Sequence, residues 1–148
     1  MVIAVARDDT AEGTAALLHA AREAEFRQAS LAVLQIVDLH EATDAARADL
    51  QDEVGRLLAA AGLNVDWALH VAGDDGSRAD TLVELTRQVG ADLLVVGSRR
   101  RTPIGKFLLG STVQRVVLDA PVPVLVVKAP LTAATPGRLA ASKGSAQI

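Results

Sequence analysis

Residues 91–128, ADLLVVGSRRRTPIGKFLLGSTVQRVVLDAPVPVLVVK, decide how this chain is read. Ala91 to Val96 is a continuous apolar run of strand length, the pattern of a central parallel strand buried on both faces. Gly97 ends it. A basic loop follows, with Arg99-Arg100-Arg101 and Lys106, and Gly110-Ser111-Thr112 then opens a helix over about 111–119 that stops before Pro121. Pro123 to Lys128 is a second buried-type strand, and Pro123 is confined to its first position or to an unpaired edge position. Strand, helix and strand in this order form a crossover unit. In such units an anionic ligand sits outside the carboxyl end of the strand, against a helix N-terminus.

Working outward, residues 2–6, VIAVA, read as a short buried strand, and Arg7-Asp8-Asp9-Thr10 as a polar turn. A helix is expected over 14–27, with Ala16, Leu17, Ala20, Ala21 and Ala24 on one stripe. Leu31 to Val37 is the second strand and Asp38 to Asp44 a loop. A further helix spans about 44–61, where Leu50, Val54, Leu57, Leu58 and Ala61 recur at helical spacing and Gly62 relieves the cap position. Asn64 to Ala72 alternates: Val65, Trp67, Leu69 and Val71 face one way, Asp66, Ala68 and His70 the other. That pattern suits a strand near a sheet edge. Gly73-Asp74-Asp75-Gly76 is a turn, Ser77 with Asp80 fits a capping box, and a helix over 78–89 stops at Gly90.

Strands therefore alternate with helices, and right-handed crossovers build a parallel sheet with helices on both faces. Residues 1–128 make one α/β domain, and residues 129–148, with no sustained period, read as a disordered C-terminal tail.

The 148 residues suit one domain with its own core. The formal charge of −3, from 18 acidic and 15 basic residues, argues against a general nucleic-acid binder. The three aromatic residues, Phe26, Trp67 and Phe107, offer no platform for base stacking. LLVV at 93–96 and VLVV at 124–127 are far shorter than a membrane span. The absence of cysteine excludes thiolate chemistry, and with no signal peptide visible the expected compartment is the cytoplasm.

Two readings stand for the glycines. Gly97 lets backbone approach a phosphate or is a turn residue, and Ser111 or Thr112 binds an anion or only caps a helix. Asp8 and Asp9 either border the same crevice, accepting hydrogen bonds from a base or ribose, or cap a loop. No P-loop and no dinucleotide GxGxxG is present. His19, His40 and His70 have no partner at metal-ligand spacing, no Ser-His-Asp elbow exists, and no catalytic residue is assigned.

The segment GSRRRTPIGKFLLGST at 97–112, with GADLLVVGSR at 90–99 and LLGSTVQRVVLDAPVPVLVVK at 108–128, resembles the universal stress protein family. ATP-binding members carry glycine, two residues, glycine, nine residues, then glycine and Ser or Thr. Gly97, Gly110 and Ser111 match in register, while Arg100 stands in place of the second glycine. The resemblance implies a single three-layer α/β/α domain of the adenine nucleotide alpha hydrolase-like kind, its five-stranded parallel sheet in the order 3-2-1-4-5. It implies a homodimer through the last strand, with Val124, Leu125, Val126 and Val127 at the interface, and unidentified regulatory protein partners. By position, Asp8 would approach the base or ribose, Val37 would line the base pocket, and Gly97, Arg100, Gly110, Ser111 and Thr112 would surround ribose and phosphates. Arg100 makes close phosphate approach harder, and Arg7 would crowd the base pocket. The expectation is a stress-response regulator without strong catalytic activity and with weak or no ATP binding. The alternative is a sensor of ATP or AMP with Mg²⁺, or a slow ATPase helped only by Asp8 or Asp9.

Overall fold

The computed structural model describes residues 1–98, 100–101 and 107–128. The elements run β1 (Val2–Ala6), α1 (Ala11–Arg27), β2 (Ser30–Asp38), a single 3-10 turn (Leu39–Glu41), α2 (Asp44–Ala60), β3 (Trp67–Asp74), α3 (Arg78–Gln88), β4 (Leu93–Ser98), β5 (Arg100–Arg101), β6 (Phe107–Leu108), α4 (Ser111–Asp119) and β7 (Val124–Lys128). The predicted tail lies outside the described residues.

β1, β2, β3, β4 and β7 form one parallel sheet in the order β3-β2-β1-β4-β7. Counting only these five strands, that is the expected 3-2-1-4-5. The extra labels come from β5 and β6, a short antiparallel ladder pairing Arg100 with Leu108 and Arg101 with Phe107. It lies in the basic segment read from sequence as a loop. Two-residue strands carry no periodicity, so the sequence offered no signal for it.

Strand alternation sorts the core into two layers. Ile3, Val5, Leu31, Val33, Leu69 and Val95 face α1 and α2, where the Ala16-to-Ala24 stripe, Val54 and Leu58 meet them. Ala4, Ala32, Leu34, Ile36, Leu94 and Val96 face α3 and α4, against Ala79, Leu82, Val113 and Val116. Ala16, Ala20, Ala21 and Ala24 of α1 are fully buried, which lets the helix lie close on the central strands. Val65, Trp67 and Val71 also pack on the α1/α2 side, as their alternation required. Ala61 is exposed beyond the end of α2.

α1 begins at Ala11, three residues earlier than its apolar stripe suggested. Thr10 caps it by accepting from Gly13 N–H at 3.0 Å. Gly13, which lowers helix propensity, hid that first turn, and contact explains its presence: a Cβ there would meet the Asp8 carbonyl oxygen at 2.6 Å. Thr43 caps α2 and Ser77 caps α3 in the same way. The Ser77 cap is one half of the expected box, because the Asp80 carboxylate accepts from Arg115 of α4 at 2.9 Å. Gly62 and Gly90 hold left-handed positions, φ +71 and +65, past the ends of α2 and α3. Among the described residues no helix is long and apolar enough to cross a membrane.

Candidate functional site

The strand order reverses between β1 and β4, the place where a parallel sheet opens a crevice at its carboxyl edge. A cleft lies there on the α3/α4 side. Its floor is Ala6, Leu34, Ile36 and Val96, its walls are Leu82 of α3 and Val113 and Val116 of α4, and its mouth carries Asp8, Glu12, Gly97, Arg78 and Thr112. The described walls hold about 80 Å³, against roughly 300–1,000 Å³ for an enclosed small-molecule pocket. The cleft is thus a narrow slot, smaller than an enclosed ligand pocket.

Asp8 enters the mouth from the end of β1. Its carboxylate accepts from the Thr10 backbone N–H at 3.1 Å and from the Thr10 hydroxyl, which itself caps α1. The Asp8 loop is therefore locked to the first turn of α1, and its carboxylate is oriented as an acceptor. Gly97 lies at the end of β4, where a Cβ would stand 2.5 Å from the Glu12 carbonyl oxygen. Thr112 lines the slot from the first turn of α4. Gly110 is the N-cap of that helix, with ordinary extended backbone at φ −66 and ψ 162, and Ser111 is its exposed first residue.

α1, α2 and α3 each have a side-chain N-cap hydrogen bond; among the described residues α4 has none. The first turn of α4 brings the positive end of its helix dipole to the mouth.

Val37 is not among the residues that line this slot; Leu34 and Ile36 are. Residues on a strand alternate faces, so Val37 and Ile36 point to different layers. Arg7 does not crowd the slot with its side chain. Its guanidinium is buried on the α1/α2 side, donating to Gln35 Oε1 at 3.0 Å and to Glu53 of α2, with Asp9 at 3.6 Å. Its Nε has no partner among the described residues. The ion pair joins the end of β1 to α2 and engages the guanidinium there, although Arg7 is also among the residues lining the slot.

Arg100 is extended, in β5. Arg99 and Lys106 of the basic segment lie outside the described residues. Val124 to Val127 form β7 at one end of the sheet, with all four half-buried.

The reading that no histidine has ligand-spaced neighbours is also corrected. His40 lies with Asp38 and Glu41 such that one ligand atom from each falls within 4.8 Å of the others. The 3-10 turn after β2, which the sequence showed only as a polar loop, brings them together. All three are exposed and outside the slot.

Arg78 is the site residue that sequence reasoning missed. A charged residue in a first helical turn reads as a solvated face. The available signal was its sign, since a cation directly after an N-cap opposes the helix dipole.

Fold and site together define a doubly wound α/β protein with an apolar slot at its switch point. The Universal stress protein family model matches residues 1–128, and the chain belongs to that family. A universal stress protein of Mycolicibacterium smegmatis is 36% identical over 118 residues, covering 78% of this chain and 88% of that protein. The structure of a universal stress protein from Archaeoglobus fulgidus is similar at a TM-score of 0.69 and 25% identity, over 86% of this chain and 98% of that one. A universal stress protein solved in complex with cAMP is similar at a TM-score of 0.65 and 27% identity, over 88% and 98% of the two chains.

Proposed function

We propose that this protein is a regulatory universal stress protein whose slot takes a nucleoside monophosphate, with weak affinity for ATP and no strong catalytic activity. The observation that carries the reading is the first turn of α4, which has no side-chain cap among the described residues and borders the slot through Thr112 and Val113. A phosphate there would supply the hydrogen bonds that side chains supply to the other three helices. The apolar floor suits the flat face of a base, and the Asp8 carboxylate, held by Thr10, is an acceptor for a ribose hydroxyl. The similar protein bound to cAMP supports a one-phosphate ligand.

ATP is disfavoured by Arg100. Where the ATP-binding pattern keeps a glycine, this chain has a side-chain-bearing residue committed to the β5–β6 ladder. Backbone cannot approach a phosphate chain there as closely as at glycine. Mg²⁺ fits this reading poorly, because the mouth offers Asp8 and Glu12 on one side only and Asp8 is already engaged by Thr10. A homodimer through β7 is part of the proposal.

Calorimetric titration with AMP, cAMP and ATP, each with and without Mg²⁺, tests the ligand. The expected result is that a monophosphate binds more tightly than ATP and that Mg²⁺ changes little. Absence of heat and of thermal shift at millimolar monophosphate would overturn it.

A further inference from the structure

Arg78 is placed against its local electrostatics. It is the first residue of α3, directly after the Ser77 cap, at the helix end where a positive charge is disfavoured. Two partners hold it there. Nη2 donates to the Ile36 carbonyl oxygen at 3.1 Å, and Nη1 to Asp74 Oδ2 at 3.3 Å. These bonds occupy two of the five N–H groups of a guanidinium. The side chain is 42% exposed and lines the slot beside Leu34, Ile36 and Leu82. Thr112, from the first turn of α4, lines the same slot.

We infer that Arg78 selects the base, so that the slot prefers 6-oxopurine nucleotides to 6-aminopurine ones. The inference rests on the mononucleotide reading above: with the phosphate on α4, the base occupies the apolar slot toward α3. A guanidinium only donates, and in a planar fork. The O6 and N7 atoms of a 6-oxopurine both accept and match that fork, whereas an adenine turns an amino donor toward it. Asp74 beside Arg78 offsets much of its charge. That makes it a weak anchor for a second phosphate and leaves its directional donors for a neutral carbonyl. Leu34, Ile36 and Leu82 provide the apolar contact for the ring face.

IMP and AMP differ only in the group at purine position 6 and its consequence at N1, so their affinity ratio is the readout. Both would be titrated calorimetrically into the full chain and into Arg78→Met and Arg78→Gln. IMP should bind the unaltered protein more tightly than AMP by roughly 5- to 100-fold, the worth of one good bidentate pair. In Arg78→Met the ratio should fall to near 1, mainly through loss of IMP affinity. Arg78→Gln keeps a donor for the Ile36 carbonyl and serves if the methionine variant does not fold. A purely structural role for Arg78 would weaken both ligands equally and leave the ratio intact, which overturns the inference. So does AMP binding as tightly as IMP, with the mononucleotide reading left standing. Binding of neither at millimolar concentration overturns both.

Discussion

Gly97 at the end of β4 lies so close to α1 that a Cβ would stand 2.5 Å from the carbonyl oxygen of Glu12 and 2.9 Å from its carbonyl carbon. Its backbone is not left-handed, so contact and not conformation requires glycine. A methyl group there must push α1 away from the sheet against its fully buried alanine stripe. Overpacking of this kind costs about 1–3 kcal/mol, which in a domain of this size lowers the melting temperature by roughly 3–10 °C. Differential scanning calorimetry of Gly97→Ala should show that drop without any ligand present. An unchanged melting temperature would mean that the close approach is not structural.

Gly110 is the contrasting glycine of the same motif. At φ −66 its backbone conformation does not require glycine, and among the described residues its helix has no side-chain cap. Gly110→Ser should therefore keep or raise stability by a few tenths of a kcal/mol, the usual difference between serine and glycine at an N-cap. The new hydroxyl would take up an N–H of the α4 first turn, the group offered to a ligand phosphate in the proposed function. Monophosphate affinity should fall severalfold while the melting temperature holds. Equal affinity in the variant would place the phosphate elsewhere.

These two glycines show how far the sequence could be read. Their spacing marked the family, but it could not separate the one that α1 requires from the one whose backbone conformation does not call for glycine. That distinction depends on how near a helix some 85 positions earlier comes to rest. The helix faces were legible because alternation and helical spacing report directly on which side is buried, whereas the sheet order was implied only by the family resemblance. The slot was legible only to the level of strand ends. Ile36 lines it and Val37, one residue on, does not, because one step along a strand reverses the face. The Arg7 ion pair with Glu53 and the Arg78 bond to Ile36 join residues far apart in sequence, and no local period announces them.

His70 should give the fold a pH dependence of defined sign. Its pKa lies below the ordinary histidine value of 6.5, first because burial on β3 disfavours the charged form, and second because Arg47 repels it. Arg47 is held nearby by donating to the Leu69 carbonyl oxygen at 2.8 Å. A depressed pKa means that the unfolded chain binds the proton more readily. Stability is then full above pH 6.5 and declines as pH falls from 6.5 through the folded-state value. Urea unfolding at pH 7.5 and 5.5, for the unaltered chain and His70→Gln, should show a smaller loss on acidification in the variant. Arg47→Met should move the His70 titration, followed by NMR, back upward. Identical acid losses in the unaltered chain and His70→Gln would remove His70 as a source.

The proposed dimer is tested at β7. This strand ends the sheet order, and Val124, Leu125, Val126 and Val127 are apolar yet only half-buried. Pro123 precedes it, and the preceding helix leaves Val117 and Leu118 exposed. An apolar sheet edge of this length invites pairing unless something covers it, and a second copy related by a two-fold axis covers it with the same strand. Val124 and Val126 pack toward α3 and α4 but lie at the rim of that layer, so a charge there penalises an edge-to-edge contact more than the interior. Sedimentation velocity should find the unaltered chain dimeric at tens of micromolar. Val124→Glu/Val126→Glu should be monomeric with the same circular dichroism. A monomer in the unaltered chain, or a dimer that survives the double substitution, would rule out association through this edge.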